Sequence, residues 1–204
     1  MIYSINSKYS SMETTRFETF FDAILAIIIT ILVIKIPQPA APTIAAILEL
    51  KTTYIAYLIS FLTLYNLWHA NHELFQIIDT IENSAVWIYG AMIFVISLIP
   101  YFTLWIANNI NSIPAETMFG LIFIITHILN RLGIKEIYKS NKYNKKLNKI
   151  GFNRHMQSMP LIILAIGFIL TYTIFKPGIY ISCLISVVLW IVIDIKKRDY
   201  NGQI

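Results

Sequence analysis

Two short stretches concentrate side chains able to do chemistry. Arg16 and Asp22 flank the start of a long apolar run, and Trp68-His69-Ala70-Asn71-His72-Glu73 interrupts a second one. Two imidazoles and a carboxylate could hold zinc, relay protons or act as acid and base. However, His69 and His72 stand at i, i+3, with neither an HExxH pattern nor a cysteine set beside them. Zinc is therefore set aside, and no metal or cofactor is expected. The reading preferred is a hydrogen-bond network between helices, built from Arg16, Asp22, Trp68 and His72. A plainer reading competes with it. Arg16 and Trp68 would then anchor helix ends at an interface, and Asp22 would complement a helix dipole. Arg16 and Asp22, six residues apart, do not share a helix face directly.

A different chemistry is offered by Ile27, Thr30, Ile31 and Ile34. Positions i, i+3, i+4 and i+7 lie on one side of a helix. Such a stripe can be ordinary packing, with Thr30 bonding the carbonyl of Ala26. It can also be the wall of a pore, where isoleucines form a constriction that gates by dewetting. Isoleucines supply no oxygen ligands, so an ion must pass with a thinned hydration shell. Potassium sheds water more easily than sodium, and such a ring would favour it. Pro100-Tyr101-Phe102-Thr103 signals a kink and aromatic packing. His127 and Arg131 read as groups reaching for the membrane boundary. No phosphate loop, dinucleotide fingerprint or nucleophile elbow is present in the sequence.

The elements that must position these groups follow from composition. The chain has 57% hydrophobic and 13% charged residues and a mean hydropathy of +0.65. A soluble domain carries roughly twice that charge. The expectation is an all-α membrane protein, a single six-helix domain over residues 1–204. Spans are predicted at residues 19–36, 53–77, 84–107, 115–137, 156–175 and 179–195. Residues 1–15 read as a loose or interfacial start rather than a secretory signal, since they are polar and acidic. Residues 43–51 read as a short amphipathic helix or the beginning of the second span. Pro37, Pro39 and Pro42 end the first. Cys183 is the one cysteine and has no partner for an intrachain disulfide.

Basic residues set the orientation. Lys8, Arg16, the residues 139–154 cluster and Lys196, Lys197 and Arg198 would share one side. Only Lys35, Lys51 and Lys176 would lie on the other. Both termini are therefore expected in the cytoplasm of a multi-pass cell-membrane protein. The net charge of +5 marks topology and contact with anionic lipid, not nucleic acid.

Taken together, these motifs resemble the transmembrane protein 175 family of potassium channels in its bacterial single-repeat form. The resemblance lies in Arg16 to Asp22 against the family's RxxxFSD, and in the apolar run with its internal Thr30. It extends to Trp68 with His72 behind it and to Pro100 to Thr103. It is specific over the first three spans. It implies a homotetramer with the first helix lining a central pore. The constriction would fall at Ile27, Ile31 and Ile34, with Thr30 as a hydroxyl layer, and potassium would permeate with modest preference over sodium. Three departures stand out. Phe21 replaces the family Ser. Asn71 stands where the first His is expected, with His72 one place later. Tyr101 replaces a Phe.

Two other classes compete with a channel. A proton-coupled secondary transporter would use Asp22 and the second-helix histidines as relays. An intramembrane enzyme would use His69, His72 and Glu73. Saturable proton-coupled flux would mark the first, and stoichiometric metal retained after purification the second.

Overall fold

The computed structural model describes residues 11–150 and 154–201, with side chains over 11–148 and 158–193. Helix dominates. β1 (Ser11–Glu13) leads into α1 (Thr14–Ile34), followed by α2 (Ile44–Glu49), α3 (Lys51–Phe75), β2 (Thr80–Glu82), α4 (Asn83–Ser97), α5 (Ile99–Asn108), α6 (Ile113–Ser140), α7 (Lys145–Ile150), α8 (Arg154–Thr173) and α9 (Gly178–Asn201). Three stretches are long and apolar enough to cross a membrane: Thr14–Ile34, Asn83–Asn108 and Ile113–Ser140. Shorter apolar helices cover Ser158–Thr173 and Gly178–Ile193.

Against the six spans expected from sequence, three stretches qualify among the described residues, and the predicted second span, α3, is not one of them; the other departures are local. Residues 11–13 form a strand, not a loose start, and pair antiparallel with β2 in the register Ser11↔Glu82, Met12↔Ile81, Glu13↔Thr80. The residues 79–83 link is thus partly a strand, and the fold is not purely α. The pairing also moves the start of the first helix from residue 19 to Thr14, whose N–H donates to the Asp79 carbonyl at 3.1 Å. Ile81, buried beneath this pair, joins the core. Residues 44–49 form a separate short helix, and the Thr43 hydroxyl accepts from Ala46 N–H as its cap. The third span breaks at Leu98, just before Pro100, because proline removes a donor and restricts its predecessor. Lys8 and the side chains of Lys149, Arg154, Lys196, Lys197 and Arg198 lie outside the described residues.

α1 buries Phe17, Phe21, Leu25, Ile28 and Leu32 against α3, α4 and α5. These positions recur every three or four residues, so one stripe of α1 faces the bundle. Phe17, Phe21, Phe75 and Tyr89 form an aromatic cluster at the lower end of this core, with centroid separations of 5.4 to 6.4 Å. A second cluster joins α3, α5, α6, α8 and α9 around Ile59, Phe119, Phe123 and Ile179.

Small residues let these helices approach, the usual means of packing in lipid. A Cβ on Gly133 of α6 would meet the Tyr89 ring at 2.7 Å. That ring cannot swing aside freely, because its hydroxyl donates to Asn71 Oδ1 at 2.7 Å. Gly133→Ala is therefore expected to cost about 1–3 kcal/mol by overpacking. The check is the thermal midpoint in detergent, with Gly90→Ala as reference, since nothing lies within 4 Å of a Cβ at Gly90.

Candidate functional site

α1 and α3 run antiparallel where their polar groups meet. Glu18 and Asp22 are four residues apart on α1, and Trp68 and His72 four apart on α3, so each pair shares a face. The pairs meet in two rungs. Trp68 Nε1–H donates to Asp22 Oδ1 at 2.9 Å, and His72 Nδ1 lies 2.6 Å from Glu18 Oε1. The Trp68 ring stacks on the His72 imidazole, with centroids 5.2 Å apart and planes 16° from parallel. Gln76, the residue capping the C-terminus of α3, places its amide nitrogen 2.9 Å from His72 Nε2. All four rung residues are half-buried. An acid near a membrane-spanning segment is costly unless paired, and both acids here are paired.

The geometry brings together Asp22, Trp68 and His72 but not the whole expected set. Arg16 is exposed and makes none of these bonds. Glu18 takes the place beside His72. Its spacing of four from Asp22 was the available signal, since i, i+4 places both acids on one face. His69 lies beside the rings of Tyr65 and Trp68, with centroids 6.3 and 6.2 Å away.

A second network sits deeper in the bundle. Asn71, fully buried, donates to Asn130 Oδ1 at 2.9 Å and to the Leu67 carbonyl at 2.7 Å, and accepts from the Tyr89 hydroxyl. An amide inside apolar helices needs such partners, which ties α3 to α4 and α6. Asn71, one of the departures from the family pattern, is thus a fully bonded core residue. At the other end of the molecule, buried Glu116 accepts from Tyr180 N–H at the first turn of α9. That is a favourable position for a carboxylate. Thr103, from the Pro100 element, is buried and shares a 2.7 Å hydrogen bond with Ser60, so this element packs α5 on α3.

The isoleucine stripe lies on the opposite side of α1 from its buried stripe. Ile27, Ile31 and Ile34 are 58%, 41% and 71% exposed in the single chain, and Thr30 is exposed among them. The Thr30 hydroxyl donates to the Ala26 carbonyl at 2.8 Å, leaving the oxygen's lone pairs outward. Phe20 continues this face at the Asp22 end, at 57% exposed. The face is apolar, carries one hydroxyl, and borders the polar rungs at one end.

Comparison with known proteins finds relatives among potassium channels. The sequence model of the family described as endosomal/lysosomal potassium channel TMEM175 matches residues 16–100. A potassium channel of Chryseobacterium sp. (strain P1-3) is 27% identical over 184 residues, covering 90% of this chain and 95% of that protein. A potassium channel of Chamaesiphon minutus is 28% identical over 130 residues, covering 59% of this chain and 64% of that protein. Among solved structures, the crystal structure of a lysosomal potassium-selective channel TMEM175 homolog from Chamaesiphon minutus superposes with a TM-score of 0.73. The identity there is 19%, over 88% of this chain and 96% of that one, and the likeness establishes the fold. The resemblance read from the sequence motifs therefore holds, and the matched segment carries them as far as Pro100.

Proposed function

We propose, taking kinship with the TMEM175 family as the premise, that this chain is the subunit of a potassium channel whose pore is lined by α1. The relatives are named as channels rather than enzymes, and the same reading is adopted here. The observation that carries the proposal is the division of α1 into two faces. Phe17, Phe21, Leu25, Ile28 and Leu32 lock one side into the bundle, while Ile27, Thr30, Ile31 and Ile34 stand free of it. One helix face is too little to enclose a conduction path. Several copies around a common axis, a homotetramer on the family pattern, would turn this face into a lumen. Ile27 would then form the constriction, with Ile31 and Ile34 further along and Thr30 as a layer of hydroxyl oxygens.

The reading places one six-span domain in the cell membrane, the fourth to sixth spans packing around the first three, with both termini cytoplasmic. Asp22, Trp68 and Glu18–His72 then hold the cytoplasmic end of α1 against α3, so that the pore helix keeps its rotation. Potassium passes with a modest advantage over sodium because it dehydrates more easily at an apolar ring.

The test is a planar bilayer holding purified protein, with potassium on one side and sodium on the other. Resolved unitary currents reversing toward the potassium equilibrium potential are expected. Saturable, proton-coupled flux without unitary steps would favour a transporter instead.

A further inference from the structure

We propose that Glu18, Asp22 and His72 form a binding site for a divalent transition-metal ion of the zinc class, bridging α1 and α3. One ligand atom from each residue lies within 4.8 Å of the other two. The sequence directs attention to His69, His72 and Glu73 on one helix. The structure assembles a different set, with two carboxylates from α1 facing one imidazole from α3.

The groups around these three residues are arranged as a metal's outer contacts usually are. Trp68 Nε1–H holds Asp22 through Oδ1, which leaves Oδ2 for an ion. Gln76 meets His72 at Nε2, which leaves Nδ1. Coordination through Nδ1 puts the ring proton on Nε2, and the Gln76 amide, whose nitrogen faces Nε2, turns over to accept that proton with its oxygen. The Trp68 indole stacked on the imidazole fixes the ring plane.

Zinc bonds nitrogen and oxygen at about 2.0–2.2 Å, which sets tetrahedral ligand atoms roughly 3.3 Å apart. The 2.6 Å Glu18–His72 contact must open by less than an ångström, and Asp22 must draw in by up to about 1.5 Å. Both are side-chain adjustments. Three protein ligands leave a fourth position for water. Imidazole with two carboxylates suits zinc and its neighbours. Calcium takes six to eight oxygens, and magnesium keeps much of its water.

The binding site stands on geometry alone, whereas its effect on conduction rests on the channel reading. On that reading the ion staples the pore helix to α3, and cytoplasmic zinc reduces the open probability.

The test separates the two. Purified protein in detergent is incubated with zinc chloride, desalted, and assayed for zinc per chain. One bound ion per chain is expected. Glu18→Gln and His72→Asn should each weaken binding by at least about tenfold, while His69→Gln should not. Cobalt(II) supplies a second measurement on the unaltered chain, where visible bands of low-coordinate nitrogen and oxygen ligation are expected. The proposal is overturned if the unaltered chain retains no zinc and shows no such bands. It is also overturned if Glu18→Gln and His72→Asn, monodisperse on gel filtration, bind as the parent does. Zinc bound without any potassium current would keep the site and remove the channel reading. Current without zinc binding would do the reverse.

Discussion

Phe21→Ser should be the most destabilising single substitution in the first helix, although serine is the residue the family motif carries there. Phe21 is fully buried and touches three aromatic rings. It lies edge-on to Phe75 at 5.9 Å and to Tyr89 at 6.0 Å, and is stacked near Phe17 at 6.4 Å. In lipid, transfer of the side chain from water contributes little, because the surroundings of an unpacked helix are also apolar. The cavity and the lost ring contacts remain. Truncating a buried Phe costs about 3–5 kcal/mol in soluble cores, and each aromatic pair adds about 0.5–1.5 kcal/mol beyond its area. About 2–4 kcal/mol is expected here, read as a drop in the thermal midpoint in detergent. The serine hydroxyl can still bond the Phe17 carbonyl one turn back, so no buried donor need be stranded. Phe21→Leu, which keeps most of the volume, should lose less than half as much. Equal stability of Phe21→Ser and the parent would mean that the aromatic cluster is not what seats α1.

This position also shows where sequence reading stops. The apolar runs and the proline stops before α2 and α5 are properties of one segment at a time, and their placement follows from composition and spacing. The pairing of Asp22 with Trp68 was within reach because both interrupt apolar runs and a polar group in lipid needs a partner. The choice of Glu18 over Arg16 as the companion of that pair was signalled only by its spacing of four from Asp22. It depends on how α1 is rotated against α3, and that rotation is fixed by Phe17 and Phe21 packing on Phe75 and Tyr89. The β1–β2 pairing escaped for a similar reason. Three-residue strands carry no periodicity, and Ser11–Glu13 finds its partner some seventy residues away. Two departures from the family pattern, Phe21 and Asn71, are explained by the same core. One fills it with a ring, and the other supplies the amide that ties Tyr89 and Asn130 together.

The largest functional effect is expected from Ile27→Asn. Ile27 stands on the free face of α1, one turn from Thr30 and Ile31, and its removal from that face leaves the buried stripe untouched. In an assembled pore, a ring of isoleucine side chains excludes water and raises the barrier to an ion that must shed its shell. Asparagine replaces each with a carbonyl oxygen and two donors. A hydrogen bond or ligand contact to a charged group is worth about 1.5–3 kcal/mol, and every 1.4 kcal/mol removed from a barrier is about tenfold in rate. Potassium conductance should therefore rise about tenfold. Selectivity should fall with it, since oxygen ligands and retained water lessen sodium's disadvantage. Ile169→Asn is the control. Ile169 is also an exposed isoleucine, on α8, but it lies outside the α1 face. Placed toward lipid, its asparagine should lower stability slightly and leave unitary current unchanged. If Ile27→Asn instead behaves like Ile169→Asn, α1 does not face the conduction path, and the free stripe faces acyl chains.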